Sequence, residues 1–337
     1  MKFLLFLFLT LPLGAFAQQG EFQLLHSGTP TSLRGLSVVS DQVAWVSGSK
    51  GHVGKTVDGG KTWHWVNPDG YDDFDFRDIE ASDAKRAVIV NAGSPAFILL
   101  TVDGGKSWQT TYRNIDSAIF LDGFDFWDAK RGIVMGDPIN HKLQLFTTAD
   151  GGQSWKDISD HLNMEMADGE ASFAASGTTI KTLGAGKVWI ATGGKVSNIY
   201  YSADYGGTWT KYPCPILQGE NSTGPFSIDF ATEQYGVAVG GNYLKDQESP
   251  NNALITKNGG KDWEKPVQSV SGYRSGVTFL NTTTCIAVGT SGADLSRDGG
   301  RTWVKVSDKS FNAVQRAKKG KLVLAAGANG SIYKLPY

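Results

Sequence analysis

Six copies of one eight-residue phrase, Ser/Thr-x-Asp-x-Gly-x-Ser/Thr-Trp with small lapses, constrain this chain more than anything else in it. They occupy residues 56–63, 101–108, 148–155, 202–209, 256–263 and 296–303, so the Trp returns every 40 to 54 residues. A period of that length marks one supersecondary unit copied and stacked. Between copies lie short β-rich runs separated by turns. In the first unit strands are predicted over 33–39, 43–47, 52–56 and 62–66, and in the second over 76–81, 87–91, 96–101 and 107–112. The phrase supplies the turn between the third and fourth strands of each unit.

The last unit, residues 311–337, offers only three strands, over 312–316, 321–325 and 331–335. Residues 22–26 read as an outer strand and stand directly before the first inner strand. Setting that N-terminal strand beside the C-terminal three closes a ring and removes a free sheet edge. The expected fold is all-β: one domain over 18–337, a seven-bladed β-propeller of four-stranded blades.

The repeated phrase does local work. Asp58, Asp103, Asp150, Asp204 and Asp298 are placed to accept backbone N–H groups across their turns. The glycines supply positive φ, the Ser/Thr hydroxyl adds a second bond, and the Trp is expected to wedge between blades. The fifth copy has Asn258 for Asp and Asp262 for Ser/Thr. Asn keeps an acceptor, so that turn should survive with its carboxylate moved. All six side chains read as structural.

Residues 1–17 combine Lys2, an apolar run over 3–13 and an Ala-Phe-Ala ending, which is the pattern of a secretory signal. Export to the periplasm or medium is expected, with cleavage near Ala17. The run is too short to span a bilayer, and no other segment is apolar enough. A formal net charge of −1 disfavours nucleic acid. Cys214 and Cys285 make no disulfide framework. Cys285 is placed in an inner strand two repeats beyond Cys214, and both are expected to be free. The histidines lack metal-ligand spacing, Gly54-Lys55-Thr56 lacks the upstream glycine of a phosphate loop, and no dinucleotide fingerprint is present. No metal or cofactor is expected, and the chain should be monomeric.

Strand alternation sorts the connections onto two faces. The phrase turns share one; the connections between second and third strands, and those entering inner strands, share the other. The longest polar segments, 136–142, 160–170 and 241–252, are of this second kind, where propellers carry function. Arg34, Arg77 and Arg274 stand at the start of inner strands and should point to the channel entrance. With Asp137, Glu170 and Tyr243 they form the candidate site. Three arginines can clamp a carboxylate, which invites a sialidase-like reading with a Tyr nucleophile. Pairing of arginines with Asp122, or with the inner-strand Asp78, Asp125 and Asp229, is the reading preferred to catalysis.

The phrase resembles the Asp-box, or bacterial neuraminidase repeat. The chain is most similar to the photosystem II stability/assembly factor family, in its non-photosynthetic bacterial branch. The likeness rests on Asp-Gly-Gly-Lys-Thr/Ser-Trp at 58–63 and 103–108, on Leu-Arg-Gly-Leu-Ser at 33–37, on 236–241, on 169–176 and on Gly136-Asp137-Pro138. It implies a seven-bladed scaffold whose arginine-lined face holds another protein during assembly. The photosystem itself does not carry over. A protein partner is therefore expected, with an acidic glycan as the alternative ligand. The rival readings are a glycoside hydrolase and a polysaccharide-binding module. The sialidase Arg-Ile-Pro phrase is absent, and seven blades depart from the sialidase six.

Overall fold

The computed structural model describes residues 22–335. The expected signal segment 1–17 lies outside them. Seven antiparallel sheets stand around a central channel in chain order. Blade 1 is Leu33–Val38, Ala44–Gly48, Val53–Thr56 and His64–Trp65, and blade 2 is Phe76–Ala81, Ala87–Asn91, Ala96–Thr101 and Gln109–Asn114. Both match the strands expected from the repeat to within two or three residues. Blade 7 is Ala313–Arg316, Val323–Ala326 and Ile332–Lys334, completed by the N-terminal strand Gln23–His26, with Gln23 opposite Lys334 and Leu24 opposite Tyr333. Two blades depart from four full strands. In blade 4 an additional strand, Glu170–Ala171, pairs with the second strand, Lys187–Gly194. In blade 5 the outer strand shrinks to one bridge, between Ile255 and Glu264.

Each inter-blade seam has its own apolar cluster. Trp45, Phe76, Ile79 and Leu99 fill the seam between blades 1 and 2, and Leu33, Leu36, Leu324 and Ile332 fill the closing seam between blades 7 and 1. Short strands with alternating side chains bury both faces because a neighbouring blade covers each. Near the axis, polar side chains stitch one inner strand to the next. Asp78 accepts the Phe124 N–H at 2.9 Å, Asp125 the Thr182 N–H at 2.7 Å and Asp229 the Phe279 N–H at 2.7 Å. Ser37 receives the Ala81 N–H, Ser275 donates to the Asn312 carbonyl, and Asn312 donates to that of Leu33. Asp78, Asp125 and Asp229 are thus committed to backbone amides of adjacent blades. The arginine partners expected for them are not there.

The box turns behave as their residue types require. Asp58 accepts the Thr62 N–H at 3.0 Å and the Thr62 hydroxyl at 2.6 Å, while the Thr56 hydroxyl donates to it at 2.8 Å. Gly59 and Gly60 sit at φ +76° and +86°, where a side chain is strained. In the fifth box Asn258 Oδ1 accepts the Asp262 N–H at 3.0 Å, and its Nδ2 donates to the moved carboxylate at 2.8 Å. The box Trp leans on the preceding blade: Trp108 donates to the Val66 carbonyl at 2.9 Å and Trp155 to the Thr111 hydroxyl at 3.2 Å. Box turns are also tied to the turns between first and second strands, as in Gly59 N–H to the Gln42 carbonyl.

The hydroxyl and amide bonds to the box carboxylates hold Asp58 and Asp103 down to about 2. A depressed folded-state value means stability that is present above the ordinary carboxylate range and lost as pH falls through about 2. Asp103→Ala should therefore lower the melting temperature at neutral pH and leave ligand binding intact. The deficit relative to wild type should shrink once acid protonates Asp103. A variant that loses binding with an unchanged melting temperature would give the boxes a direct role in function.

Both cysteines are buried and free. Cys285 begins the second strand of blade 6, Cys285–Gly289, rather than an inner strand. The inner position is taken by Gly276–Phe279, because the entry to that blade runs on through Arg274 and Ser275. Burial pushes the Cys214 thiol up to about 12, and Cys285 higher still.

Candidate functional site

The channel is divided. Toward the box face it is a cavity of about 480 Å³ lined by Asp78, Glu80, Asp125, Lys181, Asp229 and Lys318. Two of its four carboxyls are paired with lysines: Lys181 with Asp229 at 2.9 Å, and Lys318 with Glu80. Burial raises Asp78 well above the usual carboxylate range, and the neighbouring Glu80 adds to this. Lys181 is held charged chiefly by Asp229. Arg316 lines this half as well, whereas Arg34 and Arg77, expected at the channel entrance, line the opposite mouth.

The opposite mouth is plugged by residues 172–177, the last part of the long entry into blade 4. The Ser172 N–H donates to Asp137 of blade 3 at 2.9 Å. Arg34 of blade 1 donates to the Ala175 carbonyl at 3.1 Å, and Arg77 of blade 2 to that of Ala174 at 3.5 Å. The Ser176 hydroxyl donates to the Ser275 carbonyl beside blade 6 at 2.6 Å. Phe173 stacks on Phe226 of blade 5 with ring centroids 4.0 Å apart, and Phe226 meets Tyr273 edge-on at 4.9 Å. The plug thereby touches five other blades and carries its own small apolar cluster. Gly177 ends it at φ +73°, and a Cβ there would lie 2.1 Å from the Asp78 carboxyl carbon. Only glycine lets the chain turn down into the channel at that point.

Above the plug is a pocket of about 440 Å³. Four of the six candidate residues line it: Arg34, Arg77, Asp137 and Tyr243. Arg77 is paired with Asp75 at 2.8 Å. Arg34 has no carboxylate within ion-pair distance among the described residues, and its pKa is lowered by burial and then by the charge of Arg77. Tyr243 is 49% exposed on the rim and sets its ring edge-on to Phe226 at 6.0 Å. Burial raises Asp137 above the usual range.

The other two candidates do not reach this pocket. Arg274 is 0% exposed and turns into blade 6, where Asp294 takes its Nε at 2.6 Å. Its remaining nitrogens go to Ser271, Ser291 and the Tyr273 carbonyl. Glu170 is 3% exposed, because the short strand it begins packs against the second strand of blade 4. There it accepts from Thr192 at 2.5 Å, Asn198 at 2.9 Å and Tyr200 at 3.0 Å. Both are internal fasteners. In their place the pocket gains Asp122, Ser172, Phe226 and Tyr273. The signal for the plug was the length of the 160–170 entry together with the small residues Ala174, Ala175 and Gly177 after it.

A family profile described as photosynthesis system II assembly factor YCF48 matches residues 16–116, which take in blades 1 and 2. A search of curated proteins returns no match. Among solved structures, the chain is similar to YCF48 bound to D1 peptide, with a TM-score of 0.67 and 14% identity over 95% of this chain and 96% of that one. It is also similar to YCF48 from Cyanidioschyzon merolae, with a TM-score of 0.66 and 17% identity over 94% of this chain and 99% of that one. The GH74 xyloglucanase from Xanthomonas campestris gives 0.64 and 13% identity over 92% of this chain and 53% of that one. At these identities the structural likenesses establish the fold alone. Box chemistry, blade count and structural likeness agree on a seven-bladed β-propeller, and over its first two blades the chain is similar to the photosystem II assembly factor family.

Proposed function

We propose that this protein is an exported binding or assembly scaffold that receives an acidic segment of another protein in the pocket above the plug. The observation that carries the reading is Arg34. It is a largely buried guanidinium beside a second one, it lines a pocket, and it is paired with no carboxylate among the described residues. A charged group so placed is stabilised by an anion brought from outside, through charge-assisted hydrogen bonds. The similarity to a YCF48 structure that holds a peptide supports a polypeptide as the source of that anion. The secretory pattern of residues 1–17 supports export.

Hydrolysis is the weaker reading. Asp122 and Asp137 are both raised by burial, whereas glycoside cleavage needs one carboxylate kept ionised opposite the acid. Replacing Arg34 and Arg77 together by Gln should cut capture of a periplasmic or secreted partner about 10-fold or more, because hydrogen bonds to charged groups contribute roughly 1.5–3 kcal/mol each. The fold should persist, since Arg34 and Arg77 hold only plug carbonyls and Asp75. Capture from exported protein fractions and binding to an acidic sugar array, wild type against double variant, measure this. Undiminished capture would move the site elsewhere, and binding confined to the sugars would favour the glycan-binding alternative.

A further inference from the structure

The pocket contains a group that the arginines do not explain. Asp122, in the inner strand Leu121–Phe126 of blade 3, is 1% exposed, and neither of its carboxyl oxygens has a hydrogen-bond partner. The backbone N–H of Asp137 faces it but is already given to the Phe120 carbonyl at 2.9 Å. Burial, reinforced by Asp137, pushes its carboxyl well above the usual range although Arg77 works the other way. Asp137 beside it uses one oxygen on the Ser172 N–H. The hydroxyl of Ser172 is also buried without a partner. Buried polar groups are almost always satisfied, and an orphaned one calls for an explanation. Elsewhere in this channel the rule holds, since Asp78, Asp125 and Asp229 each accept two or more bonds. The exception lines the mouth pocket, beside Arg77 and Asp137.

A cationic donor is the partner that would return Asp122 to its ionised form, and the chemistry of that donor follows from what stands around it. Three acceptor oxygens are open, both of Asp122 and the second of Asp137, and the two carboxyls lie close enough to raise Asp122. A primary ammonium brings three donors and one positive charge on a compact head. A guanidinium, which presents its donors as a planar fork, is the poorer match to two neighbouring carboxyls. The same pocket holds Arg34 and Arg77, which need a carboxylate. About 440 Å³ admits two side chains of a peptide with room for an aliphatic stem against Phe226 and Tyr273.

We infer that the mouth pocket takes a peptide carrying an acidic residue beside a lysine, the carboxylate held by Arg34 and Arg77 and the ammonium by Asp122 and Asp137. This deepens the scaffold reading of the same pocket and rests on it. Asp122 is then the residue that sets specificity. A site built around a buried polar group rejects an analogue that lacks the matching group, because the buried group is left unpaired.

The test uses the full chain and two capped peptides, acetyl-Gly-Asp-Lys-Gly-amide and the same peptide with norleucine for lysine, titrated calorimetrically. Wild type should bind the lysine peptide at least 10-fold more tightly. Asp122→Asn should reduce that preference below about 3-fold and should melt no lower than wild type, since the carboxyl it replaces has no hydrogen-bond partner to lose. Asp137→Asn is the second variant and should weaken the preference by a smaller factor. Equal affinity of wild type for the two peptides, or no binding of the lysine peptide at millimolar concentration, overturns the inference without recourse to any variant. A preference retained in Asp122→Asn does so too. Partner capture by the Arg34/Arg77 double variant separates the two readings. If capture falls while the peptides bind wild type equally, the scaffold stands and the lysine site is gone. If capture is undiminished, the scaffold reading fails whatever the peptides do.

Discussion

Asp294→Ala should destabilise the propeller by about 3–5 kcal/mol, the loss typical of removing one partner from a buried ion pair. Arg274 is fully enclosed, and its Nη2 stands 2.5 Å from Asp294 at 0% and 1% side-chain exposure. Every nitrogen of the guanidinium is used, and burial already lowers its pKa in spite of Asp294. Without the Asp294 carboxylate, a positive charge remains inside blade 6 hydrogen-bonded only to two hydroxyls and a carbonyl, with Asp246 acting on it from further away. In urea the unfolding midpoint should fall with little change in slope, since the surface exposed on unfolding is the same. Replacing both residues, Arg274→Met with Asp294→Leu, should recover part of the loss, because no charge is then stranded. A single variant within about 1 kcal/mol of wild type would mean that water reaches the guanidinium and that the pair is not the fastener described. Binding in the Arg34 pocket should be unaffected in the folded fraction, which distinguishes Arg274 from the two arginines that line it.

The difference between those arginines marks where sequence reasoning stops. Repeat position as read from the sequence puts Arg34, Arg77 and Arg274 at equivalent points, but the register places Arg274 one residue earlier. Gly276 pairs with Val288 as Gly35 pairs with Ser47, and the Arg274 N–H goes to Gly240 as that of Leu33 goes to Gly327. Ser275 therefore holds the Arg34 position, and alternation turns Arg274 into the blade. What repeat position cannot supply is the identity of the nearest carboxylate. Blade 6 has Asp294 on its third strand, opposite Ala287, within reach of Arg274. Among the described residues no carboxylate stands within ion-pair distance of Arg34. Periodic features were legible for a physical reason: the Asp-box is a local turn whose bonds run between residues two to four apart, so its structure is written in eight residues. Strand placement and ring closure were legible because alternation and the missing fourth strand are also local facts. The plug is the opposite case. Its contacts with Arg34, Ser275 and Phe226 join residues about 50 to 140 apart in sequence, and nothing in residues 172–177 declares them. Glu170 was misplaced for the same reason. Its partners Thr192, Asn198 and Tyr200 belong to the sheet it folds onto, and their convergence depends on an extra strand that the repeat does not contain.

Removing the strand Gln23–His26 together with everything before it should leave the ring unable to form a stable native state. Gln23–His26 is the fourth strand of blade 7, and Ile332–Lys334 has no other outer neighbour. The strand is preceded by Phe22, which is 6% exposed and lies 4.8 Å from the Phe311 ring, in the cluster between blades 6 and 7. Leu25 packs into the closing seam with Trp63 and Trp65. Loss of a buried Phe alone costs about 3–5 kcal/mol, and an unpaired edge adds exposed backbone groups that invite association with other chains. Set against a total stability of about 5–15 kcal/mol for a typical domain, the truncated protein should be largely unfolded or aggregated at 37 °C. Phe22→Ala in the intact chain isolates the packing part and should lower the melting temperature while the protein remains folded at 25 °C. A peptide spanning residues 20–28, added in trans to the truncated protein, should restore part of the lost melting temperature, because binding it to the edge of Ile332–Lys334 favours the folded ring by mass action. A truncated protein that melts where the full chain does would show that blade 7 stands on three strands, and the ring would then owe its closure to the seam between blades 7 and 1 alone.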